Sequence, residues 1–170
     1  QAESGRRFSA DELRFVEDLA RRAALALDNA RLYESAEASR SLLHGLLMHA
    51  PAAIGLTRGR EHVYELVNEP YMAFIGERDV IGRRMRAVLP ELASQGLFEI
   101  HDRVFTTGET FTARELPIRR RWPDRPEEAS ERHFNVVYQP TRGALGQITG
   151  LATFGFEVTA HVVARRELEA

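Results

Sequence analysis

The stretch Asn135–Thr159, NVVYQPTRGALGQITGLATFGFEVT, decides the fold. Two runs rich in β-branched and aromatic residues flank TRGALGQ, whose glycines mark a turn, so the segment reads as a β-hairpin. Strand alternation places Phe134, Val136 and Tyr138 on one face of the first run, and Ala152, Phe154 and Phe156 on one face of the second. The second run ends at Glu157 and Thr159, and the charged helical segment AHVVARRELEA follows at once. A core strand that passes straight into a polar helix hands the chain on.

Upstream of the hairpin, FTARELPIRRR and RHFNVVYQP read as strands, joined by RWPDRPEEASE, a polar, proline-bearing loop. Before them GLFEIHDRVFTTGETF holds a helix with Leu97, Ile100, Val104 and Phe105 on one face and Gly108 as its stop. DVIGRRMRAVLPEL reads as short helical turns broken by Gly82 and Pro90. EPYMAFIG is a short helix with Pro70 in its first turn and Gly76 at its end. AAIGLTRG and EHVYELVN form a second hairpin about RGRE.

The N-terminus differs in texture. FSADEL places Ser9 at an N-cap with Glu12 three residues on, a capping box, and Phe8 and Leu13 at the two positions of a hydrophobic staple. A helix from Ala10 to about Leu47 is roughly 55 Å long, more than a small globular core accommodates. Leu13, Val16, Ala20, Ala23, Leu27 and Ala30 alternate spacings of three and four, a heptad seam suited to pairing between two chains. The order of elements predicts an α+β domain: a five-stranded antiparallel sheet with short helices on one face, plus the long N-terminal helix.

Composition narrows the function. The formal net charge is −2, so no basic field draws nucleic acid, and no apolar run is long enough to span a bilayer. With 0 cysteines, disulfides, thiolate-ligated metals, thiol catalysis and cysteinyl adducts are excluded. There is no Gly-x-Ser-x-Gly elbow, no Walker-type loop and no His-Glu-x-x-His, so no enzymatic role is expected of these residues. A cytoplasmic location is the default expectation, and the chain reads as a piece of a longer protein.

Asn68 with EPYMAFIG, then DVIGRRMRAVLPEL, RVFTTGETF, and the final hairpin with its Glu157-Val158-Thr159 end occur in one order, and in that order they resemble a PAS domain, most closely those of bacterial sensor histidine kinases. The likeness covers about Leu46 to Thr159. It departs at the closing signature, where the family usually has an aspartate, and an acid after the threonine. Residues 8–34, FSADELRFVEDLARRAALALDNARLYE, are similar to the last helix of a GAF domain. The resemblance implies three parts: 1–45 as a GAF exit helix or coiled-coil-like linker, 46–159 as a PAS sensor domain, and 160–170 as the start of an outgoing signalling helix. It implies a homodimer through the N-terminal helix and an output kinase domain in the parent protein of a two-component system. Glu157, tethered to an arginine, and Thr159, capping the outgoing helix, are the expected signal output.

The inner face of such a sheet is the candidate ligand site. Tyr71, Phe74, Leu97, Val104 and Phe105 are expected to close it from the helix side over Phe134, Val136, Tyr138 and Phe154, with Asn68 and Tyr138 as polar handles for a small molecule. The alternative is a core filled by side chains; no cofactor is expected. His101 lies on the helix that carries the haem ligand in haem-binding PAS domains, which makes it a candidate ligand, although Glu99 and Asp102 beside it favour an exposed position. His44 and His49 lack the acid that follows a phospho-accepting histidine and read as helix-end residues. Arg119, Arg120, Arg121 and Trp122 are offset by the acids of Asp124–Glu131 and read as a solvated hairpin tip, with no nucleic acid as partner.

Overall fold

The computed structural model describes residues 9–76, 79–122 and 124–169. The chain divides into two units, Gln1–Gly45 and Leu46–Ala170. The first is occupied by most of helix α1 (Ala10–Met48). Its capping box forms: the Ser9 N–H donates to Glu12 Oε2 at 2.8 Å, and the Glu12 N–H donates to Ser9 Oγ at 3.2 Å. Phe8, the other half of the expected staple, lies outside the described residues. The seam side chains Leu13, Val16 and Leu27 are all at least half exposed.

The second unit is a five-stranded antiparallel sheet: β1 (Ala53–Arg58), β2 (Val63–Val67), β3 (Phe111–Trp122), β4 (Arg125–Arg142) and β5 (Ile148–Glu157), in the order β2-β1-β5-β4-β3. Between β2 and β3 run α2 (Glu69–Ile75), α3 (Met85–Val88), a 3-10 turn (Pro90–Gln95) and α4 (Leu97–Thr107), and α5 (Thr159–Glu169) follows β5. The helices between the strands bury Tyr71, Ile75, Met85, Val88, Leu97, Phe98 and Val104 in one core with Phe134, Val136, Tyr138 and Leu151 of the sheet. The last strand of the sequence lies at the centre of the sheet, between β1 and β4.

The register corrects one expectation. Thr153 pairs with Gly55 and Tyr138, and Gly155 pairs with Ala53 and Val136, so the inward residues of β5 are Leu151, Thr153 and Gly155. Ala152, Phe154 and Phe156 point to the opposite face. A one-residue offset in a period-two strand exchanges the two faces completely. On neighbouring β1 a Cβ at Gly55 would stand 2.8 Å from the Tyr71 ring.

A second correction concerns the stretch read as a polar loop with a solvated tip. β3 and β4 continue as a ribbon through Trp122 and Arg125, with Arg120 opposite Ser130. Trp122 is 1% exposed, stacks on Phe134 at 5.6 Å and donates from Nε1 to Ser130 O at 2.9 Å. Arg120 is buried as well and pairs with Glu91 at 3.0 Å. Arg119 and Arg121 are exposed, as expected of a solvated tip, whereas Arg120 and Trp122 are not. β3 is an edge strand, which tolerates Pro117 and carries a bulge between Ala113 and Leu116. Glu115 sits in that bulge at φ 54, held by its N–H donating to Asn135 Oδ1 at 2.9 Å.

Asn68, 0% exposed, ties these parts together. Its Oδ1 accepts from the Ile54 N–H at 2.8 Å and from the Tyr71 N–H at 3.2 Å. Its Nδ2 donates to Ala52 O at 2.7 Å and Leu47 O at 3.1 Å. All four hydrogen-bonding positions of the carboxamide are thus used. Asn68→Ala leaves three buried backbone groups and the half-buried Leu47 carbonyl without this partner and is expected to destabilise the domain by about 3–5 kcal/mol in urea unfolding. Asn68→Asp keeps the acceptor but turns a carboxylate oxygen toward two carbonyls, so a loss of similar size is expected at neutral pH.

Candidate functional site

Between the inner face of the sheet and the helices lies a cavity of about 50 Å³. Of the residues expected there, Tyr71, Phe74, Leu97, Phe134, Val136 and Tyr138 line it. Four do not. Phe154 faces the other side of the sheet, and Val104 packs deeper in the core. Phe105 lies against the His62 ring, 5.9 Å between centroids. Asn68 has spent its polar atoms on backbone and offers no handle to a ligand.

The lining residues that the sequence reading missed are Met85, Leu89, Leu92, Phe98, Ile118 and Thr153, among others. A signal for α4 existed. Leu97, His101 and Val104 follow the spacing i, i+4, i+7 of a buried helical stripe. His101 belongs to that stripe and is 4% exposed, contrary to the exposed position expected beside Glu99 and Asp102. An apolar reading that skips histidine cannot see it.

His101 is the cavity's distinctive polar group. Its Nδ1–H donates to Leu97 O, one helical turn back, at 2.7 Å. Its ring lies 4.2 Å from that of Tyr138. Nε2 is buried without a hydrogen-bond partner. Burial brings its pKa down to about 4, so the ring is neutral near pH 7 and Nε2 is a bare acceptor. Behind it stands His62, 5.8 Å away, whose Nε2 meets Asp102 Oδ1 at 2.9 Å. Burial pushes the Asp102 carboxyl up, but hydrogen bonds from His62 and Arg86 bring it below its ordinary value. Burial also raises the hydroxyl pKa of Tyr64 to about 12 and that of Tyr71 well above its ordinary value; the two hydroxyls share a 3.0 Å hydrogen bond.

A haem does not fit. Pockets for cofactors of this size start at about 300 Å³, several times this cavity. Among the described residues no group of three or more His, Asp or Glu side chains is arranged to hold a metal ion, and no helix is long and apolar enough to cross a membrane.

The second candidate region is the end of β5. Glu157 meets Arg132 at 3.5 Å, as expected for a tethered strand end. Thr159 does not cap α5: it is the helix's first residue, and its Oγ1 accepts from the His133 N–H at 3.0 Å. The Val158 N–H donates to His133 O at 2.8 Å, and Val162 is fully buried. A tie absent from the sequence reading joins α5 to the β3 bulge: the two terminal guanidinium nitrogens of Arg165 donate to the Glu115 carboxylate, each at 2.7 Å. The partners are 50 residues apart, and no local pattern connects them.

The buried His101 has a consequence for stability. An unfolded imidazole takes up a proton near pH 6.5, whereas the folded one resists until about 4. The unfolded state therefore binds more protons in that window, and stability falls as pH drops from about 6.5 to 4. Between pH 7 and pH 4.5 the contribution lost is about 2 kcal/mol. Urea unfolding of wild type and His101→Phe at both pH values is expected to show the wild type losing that much more.

The PAS fold family matches residues 47–163. Among solved structures, the chain is similar to a Vibrio cholerae VqmA dimer described in the absence of its target DNA, with 22% identity and a TM-score of 0.57 over 70% of this chain and 51% of that one. It is similar to an RNA-binding light-oxygen-voltage receptor, with 18% identity and a TM-score of 0.58 over 76% of this chain and 35% of that one. It is also similar to a sensory box sensor histidine kinase from Vibrio cholerae, with 20% identity and a TM-score of 0.51 over 75% of this chain and 98% of that one. The chain thus spans about half of the VqmA chain and a third of the light-oxygen-voltage receptor, and at these identities the likeness establishes the fold. With the family match covering the whole sheet and its helices, the chain belongs to the PAS fold family.

Proposed function

We propose that this PAS domain is a relay in a signal-transduction protein, transmitting a change at its helix–sheet core through α5 to an output domain. The observation that carries this reading is the triple attachment of the β5–α5 junction: Glu157 to Arg132, Thr159 to the backbone of His133, and Arg165 to Glu115. A contiguous path leads there from the cavity. Phe74 and Phe134 line the cavity and meet edge to face at 5.4 Å. Both touch Trp122, and the Arg132 guanidinium lies 4.5 Å over that ring. A shift of Phe74 or Phe134 thus displaces the arginine that holds Glu157. Packed aromatics and ion pairs have discrete arrangements, which suits a two-state element.

The output we favour is a histidine kinase of a two-component system, with α1 as a GAF exit helix. The support is the motif order and the structural likeness to a sensory box histidine kinase over nearly its whole chain. The VqmA likeness keeps a DNA-binding output as the second reading, in which nucleic acid is contacted by another domain. In both, the domain is a regulatory part and the chemistry resides elsewhere in the parent protein. The small cavity favours a relay whose core is mostly filled by side chains over a haem sensor.

Dimerisation through α1 completes the proposal. Its exposed seam residues gain only by burial against another helix. A Val16→Asp, Leu27→Asp double variant is expected to sediment as a monomer where the wild type sediments as a dimer; an unchanged mass would remove α1 from the interface.

In the full-length protein, Glu115→Ala, Arg165→Ala and the Glu157→Ala, Thr159→Ala pair are each expected to change the regulated output several-fold and to speed amide exchange in α5. The Glu115→Arg, Arg165→Glu exchange restores a pair of opposite charges and is expected to recover part of the effect. Output unchanged in all four variants would exclude the junction as the exit of the signal.

A further inference from the structure

An open antiparallel sheet has two edge strands, and each presents a row of backbone N–H and C=O groups to any other strand. At the β2 edge the chain itself takes that row. The Tyr64 N–H donates to Arg83 O at 3.0 Å, and Tyr64 O accepts from the Gly82 N–H at 2.8 Å. The Met85 N–H donates to His62 O at 3.0 Å. The β3 edge is longer, at 12 residues against 5, and lies at the other side of the sheet. A long edge strand of this kind is a template for pairing with a further chain unless something closes it.

From Glu115 to Arg119 the outer edge of β3 offers no free N–H, for three different reasons. In the bulge, the Glu115 N–H is turned back to Asn135 Oδ1. Pro117 has no N–H to give. At Arg119 the side chain of Gln95, the last residue of the 3-10 turn, takes both backbone groups. Its Oε1 accepts from the Arg119 N–H at 2.9 Å, and its Nε2 donates to Arg119 O at 2.8 Å. One residue of an adjoining antiparallel strand makes the same pair of bonds. Alternate residues of a strand bond to opposite sides, so Ile118 and Arg120 are left to β4, opposite Arg132 and Ser130. Gln95 Nε2 also donates to Glu91 O at 3.3 Å, which holds the carboxamide in place. We propose that Gln95 guards the β3 edge: its carboxamide stands where a neighbouring strand would lie and keeps β3 from pairing with the β3 of a second copy. A second copy brings the same strand in the same geometry, and a two-fold axis across the edge would pair the two strands antiparallel. The exposed Arg119 and Arg121 oppose that pairing further, because the axis would set arginines against arginines. The bulge and the proline belong to the strand, whereas Gln95 reaches it from another element and is the part of the guard that can open.

The test uses the whole 170-residue chain carrying Val16→Asp and Leu27→Asp, so that pairing through α1 does not mask pairing through the sheet. Gln95→Ala is expected to speed exchange of the Arg119 amide about tenfold, the effect of one hydrogen bond. The Ile118 and Arg120 amides, which face β4, are expected to keep their rates, and their protection shows that the variant is folded. Gln95→Ala combined with Pro117→Thr and Arg119→Thr restores a donor and removes a charge. That protein is expected to sediment with a mass that rises with concentration toward twice the monomer, while exchange at positions 117 and 119 slows. Pro117→Thr with Arg119→Thr, in which Gln95 is kept, is expected to remain a monomer at the same concentrations. An unchanged Arg119 amide in Gln95→Ala overturns the guard. So does a triple variant that stays monomeric, or a double variant that associates as strongly as the triple one. All comparisons are made within one background, so they hold whether or not α1 pairs, and none of them bears on the junction variants that test the relay.

Discussion

The carboxamide of Asn68 is the constraint on which the domain depends. It sits where β2 ends and α2 begins, and its four hydrogen bonds reach the start of β1, the first turn of α2 and the last turn of α1. One planar group with two donors and two acceptors is the smallest device that satisfies so many backbone atoms at a buried crossing. Aspartate lacks the donors. With this crossing fixed, Tyr71 is placed over Gly55, and α2 can cover the centre of the sheet. The same atoms connect the chain entering from α1 to the strand beside β5, so the entry and the exit of the domain lie on adjacent strands.

The crowding that follows explains why the cavity is small and why its lining is uneven. On the cavity's side β5 offers Thr153 and Gly155, and the bulk is supplied by the flanking strand β4 and by the helices. Phe134, Val136 and Tyr138 of β4 supply the floor, and Phe74, Leu97 and Phe98 the roof. Aromatic rings at 5.4 to 5.6 Å from one another then form a continuous wall from the cavity to Trp122. A core filled in this way moves as a unit, because side chains at native density have little freedom to shift singly.

The sequence made the architecture legible and left the faces ambiguous. The capping box at Ser9, the turn at Gly76, the asparagine before Pro70 and the last hairpin are local signals, each set by a few neighbouring residues, and the elements follow them. Which face of β5 points inward is not local. Leu151, Ala152, Thr153, Phe154, Gly155 and Phe156 have apolar or small residues on both sides, and the choice is made by pairing with β1 and β4. Trp122 misled for a similar reason: three arginines and a following acidic run look solvated until β4 returns to cover the ring. Arg165 and Glu115 meet only through the tertiary fold. His101 alone was readable and missed, since its spacing from Leu97 and Val104 already placed it inside.

The bulge at Glu115 shows how a local cost can serve the exit helix. A left-handed backbone at a glutamate is unfavourable by of order 1 kcal/mol, and nothing in the edge pairing of β3 requires it. Asn135, one strand in, accepts the freed N–H and holds the bulge open. The result is that the Glu115 side chain reaches α5, where Arg165 holds its carboxyl below the ordinary range. A regular strand in that position has no reason to aim a carboxylate at this helix. Asn135 pairs with Phe156 of β5, next to Glu157, so the residue that supports the bulge also lies beside the strand end whose movement would carry the signal. In the proposed relay, β5 would act on α5 by two routes, directly through Thr159 and indirectly through Asn135 and Glu115. Two attachments with a common origin would make release of the helix in that relay steeper than either alone, the behaviour a switch needs.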